Sequence, residues 1–184
     1  MKLVLIFGFL ILVPLIVVAL VYNGFISRRN QMRNAFSSID VQLKKRWNLI
    51  PNLVETVKGY AAHEKELFES VVAARDGARS QSAESGARFT EEEKLSSSVG
   101  RLMAVAEGYP ELRSGEHFLN LQRNLTEIES QISAARRTYN AAVQEWNNGV
   151  ESFPTSVLAG FWKFERADWF EARSEEREGV DVRV

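Results

Sequence analysis

LVLIFGFLILVPLIVVALVYNGFISRRNQMRNAFSSIDVQLKKRWNLIP, residues 3–51, is the stretch that decides the fold. Its first part, Leu3 to Val21, carries no charge. A helix needs about 20 apolar residues to cross a bilayer, and this run supplies them. Gly8 and Pro14 would weaken a soluble helix but are tolerated in a membrane helix. A cleaved leader would have a shorter apolar run and a small-residue exit. The exit here, Ala19-Leu20-Val21-Tyr22-Asn23, lacks that pattern. Residues 1–22 therefore read as an uncleaved anchor. Arg28, Arg29 and Arg33 follow the span, against Lys2 before it. The positive-inside bias then puts the soluble part in the cytoplasm, on a single-pass protein. Tyr22 and Phe25 stand where an aromatic belt would meet the headgroups.

Beyond the span the same stretch turns amphipathic. Tyr22, Phe25, Arg29, Met32, Phe36, Ile39, Leu43 and Ile50 fall mostly at spacings of 3, 4 and 7. That pattern predicts a helix running straight out of the membrane to about Asn48. Pro51 is expected to end or kink it, with Asn48 capping the second helix. That second helix is expected over 51–79, with Leu53, Val57, Tyr60, Leu67, Val71 and Ala74 on its apolar face. Gly59 inside it would mark close approach to a neighbour. Residues 80–89 read as a loop. Thr90 and Glu93 form a capping box for a third helix, and Pro110 lies near its end. The fourth helix, 115–148, has the strongest period. Phe118, Leu121, Leu125, Ile128, Ile132, Ala135, Tyr139, Ala142 and Trp146 alternate spacings of 3 and 4. Gly149 reads as its stop. No alternating strand pattern of useful length occurs. The expected fold is all-α: a transmembrane helix continuing into an up-down bundle of four long helices over 23–152. An aromatic amphipathic segment, 153–172, and a charged tail, 173–184, complete the chain.

Composition narrows the chemistry. The net charge is −1, so no broad basic field points to nucleic acid. There is no cysteine, which excludes thiolate catalysis and Cys-ligated zinc. His63 and His117 are far apart and show no H-E-x-x-H spacing, so both read as surface or cap residues. Neither lies three residues after a glutamate, as a di-iron bundle requires, which sets aside Glu55, Glu127 and Glu129 as metal ligands. Ser37-Ser38 and Ser96-Ser97-Ser98 have no histidine nearby in sequence. No catalytic, cofactor or metal site is expected. Lys44, Lys45 and Arg46 read as a solvated face.

More informative are polar residues on or beside the seams: Arg29, Asn30, Asp40, Asn52, Glu55, Arg136, Asn140 and Asn147. One reading is a register device that penalises wrong helix pairings. The other is a groove holding a partner peptide or a neighbouring protomer. Exposed, mutually unpaired side chains would favour the groove. Arg29, on the apolar stripe, is expected to pair with a carboxylate from the returning helices or to face headgroup phosphates. Direction-counting brings the fourth helix, roughly 50 Å long, back to membrane level. The aromatic segment with Phe161, Trp162, Phe164, Trp169 and Phe170 would then begin beside the bilayer as an interfacial helix. Capping the open end of the bundle, or packing on a protomer, is the alternative.

Two runs carry a family resemblance: RNQMRNAFSSIDVQLKKRWNLIPNLVETVKGYAAHE, residues 29–64, and LQRNLTEIESQISAARRTYNAAVQEWNNGVESFP, residues 121–154. With Glu107, Tyr109 and Pro110 between them, they resemble the LemA family. Asn48 stands where that pattern has an aspartate, and Phe36 where it has a tryptophan. The resemblance implies a bacterial inner-membrane protein with a helical domain and no established enzymatic activity. The function expected is a non-enzymatic membrane-anchored module acting through protein contacts, self-associating or meeting a membrane-protein partner. The alternative is a regulator or accessory of a membrane protease or other membrane enzyme, with a polar groove binding a peptide.

Overall fold

The computed structural model describes residues 2–81 and 86–170. Six helices occur there: α1 Lys2–Lys58, α2 Lys65–Ser80, α3 Gly86–Glu107, α4 Pro110–Ser114, α5 Glu116–Glu151 and α6 Thr155–Phe161. No strand occurs among the described residues. The fold is all-α. The charged tail lies outside the described residues.

The helix boundaries depart from the sequence reading at four places, each for a physical reason. First, α1 passes straight through Pro51. Proline lacks the N–H that would bond the Trp47 carbonyl, four residues back. The Arg75 Nε on α2 donates to that carbonyl instead, at 2.8 Å. The orphaned acceptor is satisfied, and Asn48 lies inside the helix rather than at a cap. Second, α1 ends at Lys58, not at Pro51. Tyr60 N–H bonds the Val57 carbonyl at 3.0 Å, an i→i+3 closure that tightens the last turn. Gly59 is part of that ending; a Cβ there would meet no other helix. Tyr60, placed on an apolar face from sequence, is about half exposed.

Third, α3 starts at Gly86, so Thr90 lies inside it and not at its start. Arg88 and Phe89, in the added turn, are both buried, and tertiary packing extends the helix. Pro110 belongs to α4 as its first residue, where a missing N–H costs nothing. Fourth, α5 runs through Gly149 to Glu151. A Cβ on Gly149 would lie 2.9 Å from Arg28 Nη1 and 3.3 Å from Phe25 Cε1. The glycine serves close helix packing, not termination.

Packing groups the chain into two compact units. The first comprises Met1–Ser37 with Arg137–Trp169. In it α1 and α5 run antiparallel, as the ring contacts Phe25–Trp146 and Phe36–Tyr139 require. Its core is Phe25, Trp146 and Ala159, flanked by Val21, Met32, Val150, Trp162, Phe164 and Ala167. The second comprises Ser38–Arg136 and Phe170 among the described residues. Ile39, Leu43, Ile50, Leu53 and Val57 of α1 are fully buried there, with Val71, Leu95, Leu102 and Leu112 from the other helices. Each such side chain contributes about 1.5–3 kcal/mol by leaving water.

The start of α1 is different. Its large side chains from Phe7 to Leu20 are mostly half or more exposed, and its most apolar window has mean hydropathy 2.6. This is one helix, among the described residues, long and apolar enough to cross a membrane.

Candidate functional site

The second unit is built round a buried cation. Arg46 sits on α1 and is only 1% exposed. It bonds the Glu129 carboxylate at 2.8 Å and the Ser96 hydroxyl at 2.7 Å, and pairs with Glu92 on α3. Trp47 Nε1 donates to the other Glu92 oxygen at 3.0 Å. Arg88, one turn before Glu92, stacks over the Trp47 ring and pairs with Asp40. Lys44 reaches Asp40 from the solvent side at 2.6 Å.

Burial sets the electrostatics of this cluster. It pushes the Glu92 carboxyl above its ordinary range, against the pull of Arg46, Arg88 and the Trp47 donor. Burial would also weaken Arg46 as a cation, but Glu129 and Glu92 outweigh it and hold the guanidinium charged. Burial raises Asp40 too, yet hydrogen bonds from Lys44 and Arg88 prevail and keep its carboxyl below the usual value.

The solvated reading of Arg46 is corrected by these contacts. A signal was present in the sequence. Arg46 fills the empty position between Leu43 and Ile50 in the stripe that continues to Leu53 and Val57. Arg88 and Glu92 likewise continue the Leu95, Val99, Leu102 stripe backward at spacings of 4 and 3. Reading Thr90 as a helix start concealed them.

The first unit fastens its aromatic segment with neutral groups. The Asn147 amide, 2% exposed, donates to the Ala167 carbonyl at 3.1 Å and accepts the Ala167 N–H at 2.9 Å. Trp146 Nε1 donates to the Glu165 carbonyl at 2.8 Å, and the Tyr139 hydroxyl to the Asp168 carbonyl at 3.2 Å. Three side chains of α5 thus hold a non-helical segment by its backbone. Trp162 packs edge-on against Tyr22 at 5.0 Å, and Phe164 lies 5.1 Å from Phe25.

The polar set picked from sequence does not come together. Asp40 and Asn147 belong to the two arrangements above. Arg136 stacks over the Phe170 ring at 4.4 Å. Asn140 is half-buried and bonded. Asn30, Asn52 and Glu55 are exposed on α1. Arg29 is partly buried, makes no ion pair among the described residues, and keeps a buried Nε with no hydrogen-bond partner. Of the two partners expected for it, a carboxylate or headgroup phosphates, no carboxylate pairs with it among the described residues. Among the proposed interfacial aromatics, Phe25 is fully buried. Phe170 is buried against Phe89, ring centres 4.0 Å apart. Neither ring offers a surface to lipid.

A groove does exist, from residues the sequence reading did not group. In the second unit, Gln42, Lys45, Asn48 and Leu49 of α1 face Asn124, Glu127, Ile128 and Gln131 of α5. It encloses about 610 Å³. Both rows keep spacings of 3 and 4, the pattern a third helix would need to seat its side chains. Among the described residues no three His, Asp or Glu side chains cluster to hold a metal ion.

The LemA family pattern matches residues 35–184, most of the chain and every residue that lines this groove. The chain belongs to the LemA family. Similar proteins include the magnetosome proteins MamQ 1 and MamQ 2 of Paramagnetospirillum magneticum, each 28% identical over 83% of this chain. The chain spans 65% of the length of those two relatives. Protein LemA of Metamycoplasma hominis is 23% identical over 95% of this chain and 83% of its own. An apolar N-terminal helix on a LemA-family chain makes this a membrane-associated helical protein.

Proposed function

We propose that this LemA-family chain is a non-enzymatic, membrane-anchored module. It is embedded by the start of α1 in a bacterial inner membrane with its helical part in the cytoplasm, and it self-associates through the α1–α5 groove. The groove itself carries the reading. It is an open seam between two helices, with aliphatic Leu49 and Ile128 at its centre and amides around them. A helix docks in such a groove by anchors at i, i+3, i+4 and i+7. Lys45 and Glu127 stand on opposite walls. In a twofold pair, residue i of one copy meets j of the other and j meets i. Lys45 of each copy would then meet Glu127 of its partner. The charged pair on the rim adds selectivity more than affinity.

Photocrosslinking in native membranes tests this. A photoreactive side chain at Gln131 should yield a dimer-sized adduct of the chain with itself. One at Gln122, on the same helix outside the groove, should not. Adducts only with another membrane protein would favour the accessory role on a membrane enzyme. No adduct from either position would overturn groove docking.

A further inference from the structure

We infer a second membrane contact: the corner between α5 and α6 presses Phe153, Val157 and Phe161 into the lipid headgroup–acyl boundary beside the span. These three are 85%, 66% and 82% exposed. Val157 and Phe161 lie four residues apart on α6 and share one face, and Phe153 stands in the turn that leads into it. The opposite face packs inward through Ala159, 1% exposed, and Trp162. The same short helix therefore has a buried face and a bare apolar one.

Depth identifies what covers the bare face. The Phe25 and Trp146 rings are 5.7 Å apart, so those two residues share a level on antiparallel helices. Five further residues of α5, about 7.5 Å at 1.5 Å each, bring its end at Glu151 level with about residue 20 of α1. That is inside the apolar run Leu3–Val21. Phe153 comes two residues later. Trp162, at the far end of α6, sits against Tyr22. The exposed aromatic face is thus continuous in depth with the exposed apolar surface of the span, and the bilayer that covers one covers the other. Lys163, Arg28 and Arg29 lie next in sequence to the elements at this level, where anionic headgroups favour cations. The membrane-facing set is therefore Phe153, Val157 and Phe161. Trp162 and Phe164 are the inner layer on which that face is mounted.

The chain has no cysteine, so single reporters are clean. Phe153→Cys, Phe161→Cys and, as an aqueous reference, Tyr60→Cys can each be labelled with an environment-sensitive fluorophore. The full-length protein is then placed in vesicles of zwitterionic and anionic lipid. Emission at 153 and 161 should shift to the blue. Lipid-attached nitroxides should dim it severalfold more than they dim position 60, and a water-soluble quencher should act mainly at 60. Quenching at 153 and 161 by the aqueous agent alone would overturn the proposal. Shielding from both quenchers would also overturn it, by showing a protein surface, such as a second copy, over the face.

Discussion

The two units use the same two helices to hold a third element, and they do it with opposite chemistry. In one, α1 and α5 grip α3 through a charged cluster, Arg46 between Glu92 and Glu129. In the other, α5 holds residues 165–168 through Asn147, Trp146 and Tyr139, all neutral, all bonded to backbone, while Tyr22 and Phe25 of α1 pack on Trp162 and Phe164. A buried charge specifies its partner strongly but is costly when orphaned. A neutral amide that matches both polar groups of one residue fixes register without that liability.

The largest expected effect breaks the charged side of this comparison. Arg46→Met should cost about 3–5 kcal/mol, because Glu92 is left buried without its ion-pair partner. Adding Glu92→Leu should recover much of the loss, since an apolar pair replaces an ionic one. Thermal or urea unfolding of the two variants measures both. If Arg46→Met melts like the wild type, the cluster is not a structural centre.

The neutral side should break more gently and more locally. Asn147→Ala leaves the Ala167 N–H and carbonyl without partners, a cost of about 1–3 kcal/mol. Hydrogen exchange should show lost protection at residues 164–168 while residues 88–102 keep theirs. Equal loss in both segments would mean that the two units do not differ in this way.

Pro51 gives a smaller, reversible effect. Arg75→Met should orphan the Trp47 carbonyl and cost about 1 kcal/mol. Pro51→Ala returns an N–H four residues on and should make the same Arg75 change nearly silent. A double-mutant cycle by urea unfolding reads the coupling. Additive effects would show that Arg75 does not stand in for the missing donor.

The smallest effect is a pH dependence. Asp40 has its carboxyl held below its ordinary value of 3.8. A depressed acid contributes stability above the unfolded value, and that contribution disappears as pH falls through the folded one. The stability gap between wild type and Asp40→Asn should therefore be full well above pH 3.8 and shrink as the pH falls below it. A gap that widens on acidification would reverse the sign.

The all-α class was legible from apolar period, because one face of each helix repeats every 3 to 4 residues, and the start of α1 from an unbroken apolar run. The charged cluster was not, because Arg46, Arg88 and Glu92 occupy stripe positions normally apolar. A charge there reads as a gap until the partner helix is known. Pro51 and Gly149 misled for a related reason. Their local preference is to break a helix, and it is overridden by one side-chain donor from α2 and by the nearness of Phe25 and Arg28. The groove was invisible as a set because Gln42, Asn48, Asn124 and Gln131 are ordinary surface residues one at a time. Only the pairing of α1 with α5 puts them on facing walls.

Whether this groove joins copies of the chain can be read from energy transfer between donor- and acceptor-labelled full-length protein in vesicles, comparing wild type with Ile128→Asp. Ile128 is half-buried and lines the groove, so a charge there blocks a docking helix while Leu121, Leu125 and Ile132 keep the core packed. Groove docking predicts transfer that rises with protein density for wild type and falls to the level of random mixing for Ile128→Asp, at an unchanged helical content. Transfer at the random level for wild type, or undiminished by the substitution, would refute self-association through the groove.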